Sequence, residues 1–205
     1  MSEKLIAFYN DLYSQNQNPF GKQASEIVPL ILKYKSSGSM LDCGAGDGRN
    51  SLFLAEHGFN VEAIDFSSVA CEQTLHVARE KNLSLQVRIA DVNTLEIAHV
   101  YDVVLCAFIL QHLKRDEAVS FIKKIKSHTA SHGINVIGAQ TMNGDFFRRF
   151  PETENFFDTL NDIKKMYRDW EILEYYKKTL TAFVKKSDGT PAQNECVFLI
   201  ARKKT

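Results

Sequence analysis

Apolar residues recur along the chain with two periods, and the alternation between them outlines the fold. Leu5, Phe8, Tyr9, Leu12 and Tyr13 fall three and four apart, so the chain opens with an amphipathic helix whose apolar face is aromatic. Asn16-Gln17-Asn18-Pro19-Phe20-Gly21 is a turn-rich link, and Ile27, Leu30, Ile31 and Tyr34 predict a second helix ending before Ser36-Ser37-Gly38. Short apolar runs then predict a strand at Met40-Leu41 and strands over 60–65, 85–90, 101–108 and 133–139. Between them lie amphipathic segments: 50–58, 68–81, and a helix showing Ala118, Phe121, Ile122 and Ile125 on one face. The fourth strand is apolar throughout, as a central parallel strand buried on both faces must be.

Beyond residue 140 the pattern becomes aromatic and less regular. Phe146, Phe147 and Phe150 precede Pro151, and Phe156, Leu160, Ile163, Met166, Tyr167 and Trp170 form a helical stripe expected in the core. Two long strands, 171–185 and 194–203, close the chain as an antiparallel hairpin through Ser187-Asp188-Gly189-Thr190-Pro191. Strands alternating with helices and a terminal hairpin predict an α/β sandwich, a single domain over 1–205, with no internal repeat. Residues 1–35 precede the first strand, where they cover a sheet edge or form a lid, and 140–170 is an aromatic insertion expected over the mouth of a site.

The loop after the first strand carries the chemistry. Ser39-Met40-Leu41-Asp42-Cys43-Gly44-Ala45-Gly46-Asp47-Gly48-Arg49-Asn50 reads strand, glycine loop, helix, with glycines where the backbone turns through positive φ and a ligand approaches without a Cβ in the way. A dinucleotide fold wants Gly-x-Gly-x-x-Gly; here the third glycine comes one residue early and Arg49 stands in its place. Asp42 and Asp47 would repel a pyrophosphate and suit a ligand with an ammonium and a sulfonium. Asp65 ends the second strand 17 residues beyond Gly48, placed to accept ribose hydroxyls, with Phe66 next to it. Ser67 or Ser68 suits the N-cap of the following helix, which frees Asp65 from that task. Asp91 ends the third strand, where it can accept an adenine amino group while Val92 packs on the ring, against the alternative of an aspartate serving a turn. The fourth strand leaves through Phe108-Ile109-Leu110-Gln111-His112, and His112 is the candidate base for an acceptor that must lose a proton, against a capping or packing histidine.

Composition narrows the partners. Lysine plus arginine and aspartate plus glutamate number 25 each, which removes a global electrostatic case for nucleic acid or a membrane surface. Cys43, Cys71, Cys106 and Cys196 form no Cys-x-x-Cys pair and read as reduced packing residues, so a cytoplasmic protein is expected. No signal-peptide pattern opens the chain, and the longest apolar run, 103–110, is too short to span a bilayer. His128 and His132 lie four apart, but Thr129 replaces the glutamate of a zinc-protease pattern, and chance spacing is the expectation.

The glycine loop resembles motif I of the class I S-adenosylmethionine-dependent methyltransferases. More narrowly, Leu41 through Ala55, with Arg49-Asn50-Ser51 after the last glycine, Trp170 before the sixth strand and Ala201-Arg202-Lys203-Lys204 at the end, resembles the tellurite-resistance methyltransferase family from about residue 22 onward. The resemblance implies a Rossmann-like, mostly parallel seven-stranded sheet with a C-terminal antiparallel hairpin and helices on both faces. It implies S-adenosyl-L-methionine as cofactor, held by Asp42, Gly44, Ala45, Gly46, Arg49, Asn50, Asp65, Phe66, Asp91, Val92 and Phe108, and a small-molecule methyl acceptor such as tellurite, selenite, a thiol or an amine. One departure stands out: the family carries a histidine and an arginine in the sixth strand where this chain has Phe183 and Val184. Unless Arg148, Arg149 or Lys185 substitutes, a more apolar acceptor is expected, because a desolvated oxyanion needs a cationic or hydrogen-bonding partner. Two other readings stay open: a nucleic-acid or protein amine methyltransferase, disfavoured by Cys106-Ala107-Phe108-Ile109 after the fourth strand, and a cofactor-binding module without turnover.

Overall fold

A computed structural model describes residues 3–149, 161–186 and 188–205. Helix α1 (Glu3–Gln15) and a short 3-10 helix (Val28–Lys33) precede β1 (Gly38–Cys43), α2 (Arg49–Glu56), β2 (Phe59–Asp65), α3 (Ser68–Glu80) and β3 (Gln86–Ile89). There follow β4 (Tyr101–Ala107), α4 (Arg115–Ser127), β5 (Thr129–Gly144), α5 (Asp145–Arg149), α6 (Asn161–Met166), β6 (Glu171–Lys185) and β7 (Pro191–Arg202). The seven strands form one sheet in the order β3-β2-β1-β4-β5-β7-β6. β1 to β5 run parallel, with Met40 level with Val61 on one side and Val103 on the other; β7 runs antiparallel to both β5 and β6. The expected α/β sheet is what the chain forms.

Strand periodicity divides the interior into two cores. Val104 and Cys106 of β4 and Val197, Leu199 and Ala201 of β7 face α4 and α6, where Phe121, Ile122, Ile125 and Tyr167 are buried. Val103, Leu105, Cys196, Phe198 and Ile200 face the opposite layer, with Ile27, Val28, Ile31 and Leu54. Consecutive side chains of a strand point to opposite faces, so a doubly apolar strand needs a helical layer on each side. Caps hold the helices in register: the Ser67 hydroxyl accepts from the Ala70 amide at 3.2 Å, and the Glu117 carboxylate returns to the Lys114 amide at 2.9 Å.

Several boundaries differ from the sequence pattern. The second helix is a single 3-10 stretch, because Pro29 stands at its start and Ser36-Ser37-Gly38 ends it within a few residues. β5 extends to both sides of the predicted 133–139, since β4 supplies a partner for Thr129 and β7 supplies one out to Gly144. His128 and His132 therefore do not share a helix: His128 caps α4, and His132 lies within β5 at φ +58. The aromatic stretch divides. Ile163, Tyr167 and Trp170 enter the core beneath α4, where Tyr167 and Trp170 meet edge to face at 5.4 Å. Phe146 instead reaches the carboxyl edge of the sheet; Phe150, Phe156 and Leu160 lie outside the described residues. All four cysteines are buried and unpaired. Among the described residues, no helix is long and apolar enough to cross a membrane.

Candidate functional site

The strand order reverses between β1 and β4, and in an open α/β sheet that switch point leaves a crevice at the carboxyl ends of the strands. A cavity of about 730 Å³ occupies it. Its floor is the glycine loop after β1, its sides are the segments following β2 and β4, and α1, α5 and the β6–β7 hairpin close over it.

Gly44, Gly46 and Gly48 take φ of +75°, +58° and +79°, conformations that side-chain-bearing residues rarely adopt. At Gly46 two demands coincide. Its amide donates to Asp65 Oδ2 at 2.8 Å, and a Cβ there would stand 2.5 Å from the Tyr13 hydroxyl of α1. The other oxygen of Asp65 accepts from the Ser67 amide at 2.9 Å, so this carboxylate ties the glycine loop to the start of α3.

Three buried carboxyls surround the loop. Burial pushes Asp42 up to about 7 and Asp47 up to about 6, and it also raises Asp65, whose charge raises the other two in turn. Asp47 and Asp65 line the cavity; Asp42 lies behind the loop, its Oδ2 accepting from the Ser51 hydroxyl of α2 at 2.6 Å. Arg49, the cation nearest the three, is already engaged. Its guanidinium donates to the carbonyls of Phe20 and Gln23 and to the Ser25 hydroxyl, which fastens the link after α1. Asn50 does similar work, accepting from the Ser25 amide at 2.8 Å.

Aromatic side chains shut the cavity. Tyr9 of α1 packs near Phe66 at 6.0 Å and Phe20 at 6.4 Å, and its hydroxyl lies 3.0 Å from Nε2 of His112. Phe108 sits at φ +62, a costly conformation for a bulky residue, held by its amide donating to the Gly138 carbonyl and its own carbonyl accepting from Gln111 Nε2 at 2.8 Å. The polar atoms Asp47 Oδ2, Gln111 Oε1, His112 Nδ1 and Gln140 Oε1 all belong to cavity-lining residues, and all are buried without a hydrogen-bond partner. A folded protein leaves few such atoms, and a cluster of them beside one cavity is what a polar ligand would satisfy.

Of the residues expected at a cofactor site, Gly44, Ala45, Gly46, Arg49, Asn50, Asp65, Phe66 and Phe108 line this cavity, as does His112. Asp42, Asp91 and Val92 do not. Asp91 Oδ1 accepts from the Asn93 amide in a turn, and Val92 is buried in the core beside α4. The pattern reading passed over Gln111 and Gln140, which no motif marks, and left Asp47 out of the binding set although it stands between two glycines of the loop.

Residues 6–192 match the family model described as tellurite resistance protein TehB. The chain belongs to the TehB family. It is 30% identical over 205 residues to the probable S-adenosyl-L-methionine-dependent methyltransferase TehB of Haemophilus influenzae strain ATCC 51907, covering 98% of this chain and 70% of that protein. In strain 10810 of the same species the identity is 29% over 165 residues, covering 80% of this chain and 57% of the relative. The crystal structure of TehB from Haemophilus influenzae superposes with a TM-score of 0.79 at 26% identity, over 96% of this chain and 67% of that one. Membership and fold together make this a class I S-adenosylmethionine-dependent methyltransferase of the tellurite-resistance type.

Proposed function

We propose that the cavity binds S-adenosylmethionine through Asp47, Asp65 and the glycine loop, and methylates a small acceptor with an apolar body. The observation that carries the binding is the set of carboxyls that burial raises around the loop despite the opposing charge of Arg49, whose guanidinium makes its hydrogen bonds to Phe20, Gln23 and Ser25. A cationic ligand repays that desolvation as no pyrophosphate can. When bound, S-adenosylmethionine supplies an electrophilic methyl on a sulfonium, so the protein's task is chiefly to orient two reactants and exclude water. Gly44 and Gly46 bring bare backbone to the ligand, Asp65 offers its remaining lone pairs to the ribose, and Tyr9, Phe20, Phe66 and Phe146 shut out solvent. Arg49 and Asn50 act one step back by pinning the link on which α1 hangs.

The lining also bears on the acceptor. Arg148 is exposed and paired with Asp145 at 2.8 Å, Lys185 and Lys186 are exposed, and Arg49 is bound to carbonyls. A bare oxyanion drawn into the interior would meet no buried, uncommitted cation among the described residues. The walls there are Phe108, Phe146, Leu180, Ala182 and Ala192, which favour an apolar-bodied acceptor.

Titration calorimetry tests the binding. Asp42 and Asp47 hold protons in part below about pH 7, and a cationic ligand favours their ionised forms. S-adenosylmethionine should therefore release protons on binding near pH 6, and its affinity should rise as pH increases through the 6–7 window. Asp65→Ala should weaken binding by roughly tenfold or more, as loss of a charged hydrogen bond does. Absence of binding, or tighter binding of a dinucleotide, overturns the reading.

A further inference from the structure

Tyr9 and His112 lie on segments far apart in sequence and meet beside the cavity. Their rings pack edge to face at 5.4 Å with the hydroxyl 3.0 Å from Nε2, and Phe146 closes on the histidine from the other side at 5.3 Å. His112 lines the cavity, and its Nδ1 is buried without a partner. The direction of the bond between them follows from acid–base strength. A phenol O–H is a better donor than an imidazole N–H, and an imidazole nitrogen is a better acceptor than a phenol oxygen. The Tyr9 hydroxyl therefore donates to Nε2. A neutral ring then carries its one proton on Nδ1, and burial, which pushes His112 down to about 4, keeps the ring neutral at physiological pH. A base that weak is poorly matched to a phenol or alcohol, whose proton it would have to remove from a group of far higher pKa.

We propose that Tyr9 is a positioning residue whose hydroxyl fixes His112 in the Nδ1–H tautomer, so that His112 serves as a hydrogen-bond donor to an acceptor that arrives already deprotonated, as a thiolate does. The inference rests on reading the cavity as a methyl-transfer site and names the side of the acceptor that this site expects. It also gives α1 a chemical task. The tyrosine reaches His112 only when the helix lies over the cavity, so closure sets the tautomer, and the unpartnered Nδ1–H then finds its acceptor in the incoming anion. No proton passes to the protein.

The tautomer can be observed directly in the full chain, without a known acceptor. Long-range proton–nitrogen correlation spectra of protein labelled in its six histidines, with His112→Gln identifying the resonance, report which ring nitrogen bears hydrogen. Wild type at pH 7 should show His112 protonated at Nδ1, and Tyr9→Phe should move it to the Nε2–H form or to an averaged shift while melting within a few degrees of wild type. Should Tyr9→Phe fold poorly, deletion of residues 1–17 should produce the same change. An Nε2–H form in wild type, or a resonance indifferent to both variants, overturns the proposal. S-adenosylmethionine calorimetry on the same samples separates the two readings: lost binding with the expected tautomer removes the cofactor assignment and leaves the pair, and the converse removes the pair alone.

Discussion

At the scale of single residues, the site is dominated by the cost of burying carboxylates. Asp42 is fully buried, one oxygen held by Ser51 and the other unpartnered. Its folded pKa of about 7 lies above the unfolded value near 4, so the folded state binds the extra proton between those limits. Stability contributed by the protonated form is full at low pH and is lost as pH rises from about 4 to about 7. Asp42→Asn should therefore flatten the pH dependence of ligand-free stability across that window by up to about 1.4 kcal/mol per pH unit, one proton's worth, and raise the melting temperature at pH 8 relative to wild type. Melts at a series of pH values check this, and an unchanged slope would mean that Asp42 is ionised and paired in solution. Asp47, raised to about 6, keeps some slope in the variant.

At the scale of elements, α1 lies outside both apolar cores. Only Leu5 and Tyr13 of the helix are buried. Among the contacts that hold it are the Tyr9–His112 contact, the Gln73 side chain donating to the Tyr13 carbonyl at 2.8 Å, and aromatic contacts to Phe20 and Phe66. Such an element opens at low cost while the body stays folded. Deleting residues 1–17 should leave a cooperatively melting protein, with S-adenosylmethionine affinity reduced by about tenfold or more because Tyr9 and Tyr13 no longer cover the loop. Circular dichroism melts and calorimetry on the deletion check both halves; loss of cooperative folding would make α1 part of the scaffold. The glycine loop is the opposite kind of element. Gly48 caps α2 at φ +79, and a Cβ there would collide with Thr74 of α3. Gly48→Ala should lower stability by at least about 1–2 kcal/mol from backbone strain alone, read as a fall in melting temperature.

At the scale of the whole molecule, the sheet gathers segments from β1, β2 and β4 at one edge, and the β6–β7 hairpin adds the wall that we propose the acceptor meets. That side is apolar with its cations at the mouth, so an arenethiol should be methylated with kcat/KM at least about tenfold above that for tellurite, followed by release of S-adenosylhomocysteine. A preference for tellurite would place a cation in the interior that the described side chains do not supply.

Much of this was written locally. The glycine loop, Asp65 at the end of β2 and the alternating apolar pattern are short-range features, and the backbone takes the positive φ angles that those glycines announce. What could not be read locally depends on partners distant in sequence. β5 is long because β7 pairs with it, Asp91 and Val92 fall outside the cavity because the Asn93 amide takes up the carboxylate in a turn and the core takes up the valine, and Arg49 serves the α1 link because Phe20 and Ser25 fold back onto it. The sequence alone determined the α/β class of fold and a loop suited to a cationic ligand, since both follow from residue type and spacing within single segments; the adenosyl identity of that ligand came only with the resemblance to a known family. Only the tertiary structure decided that Tyr9 meets His112, that three carboxyls share one buried region and that Phe108, Phe146 and Leu180 line one cavity, because burial and pairing are set by which segments the sheet brings side by side.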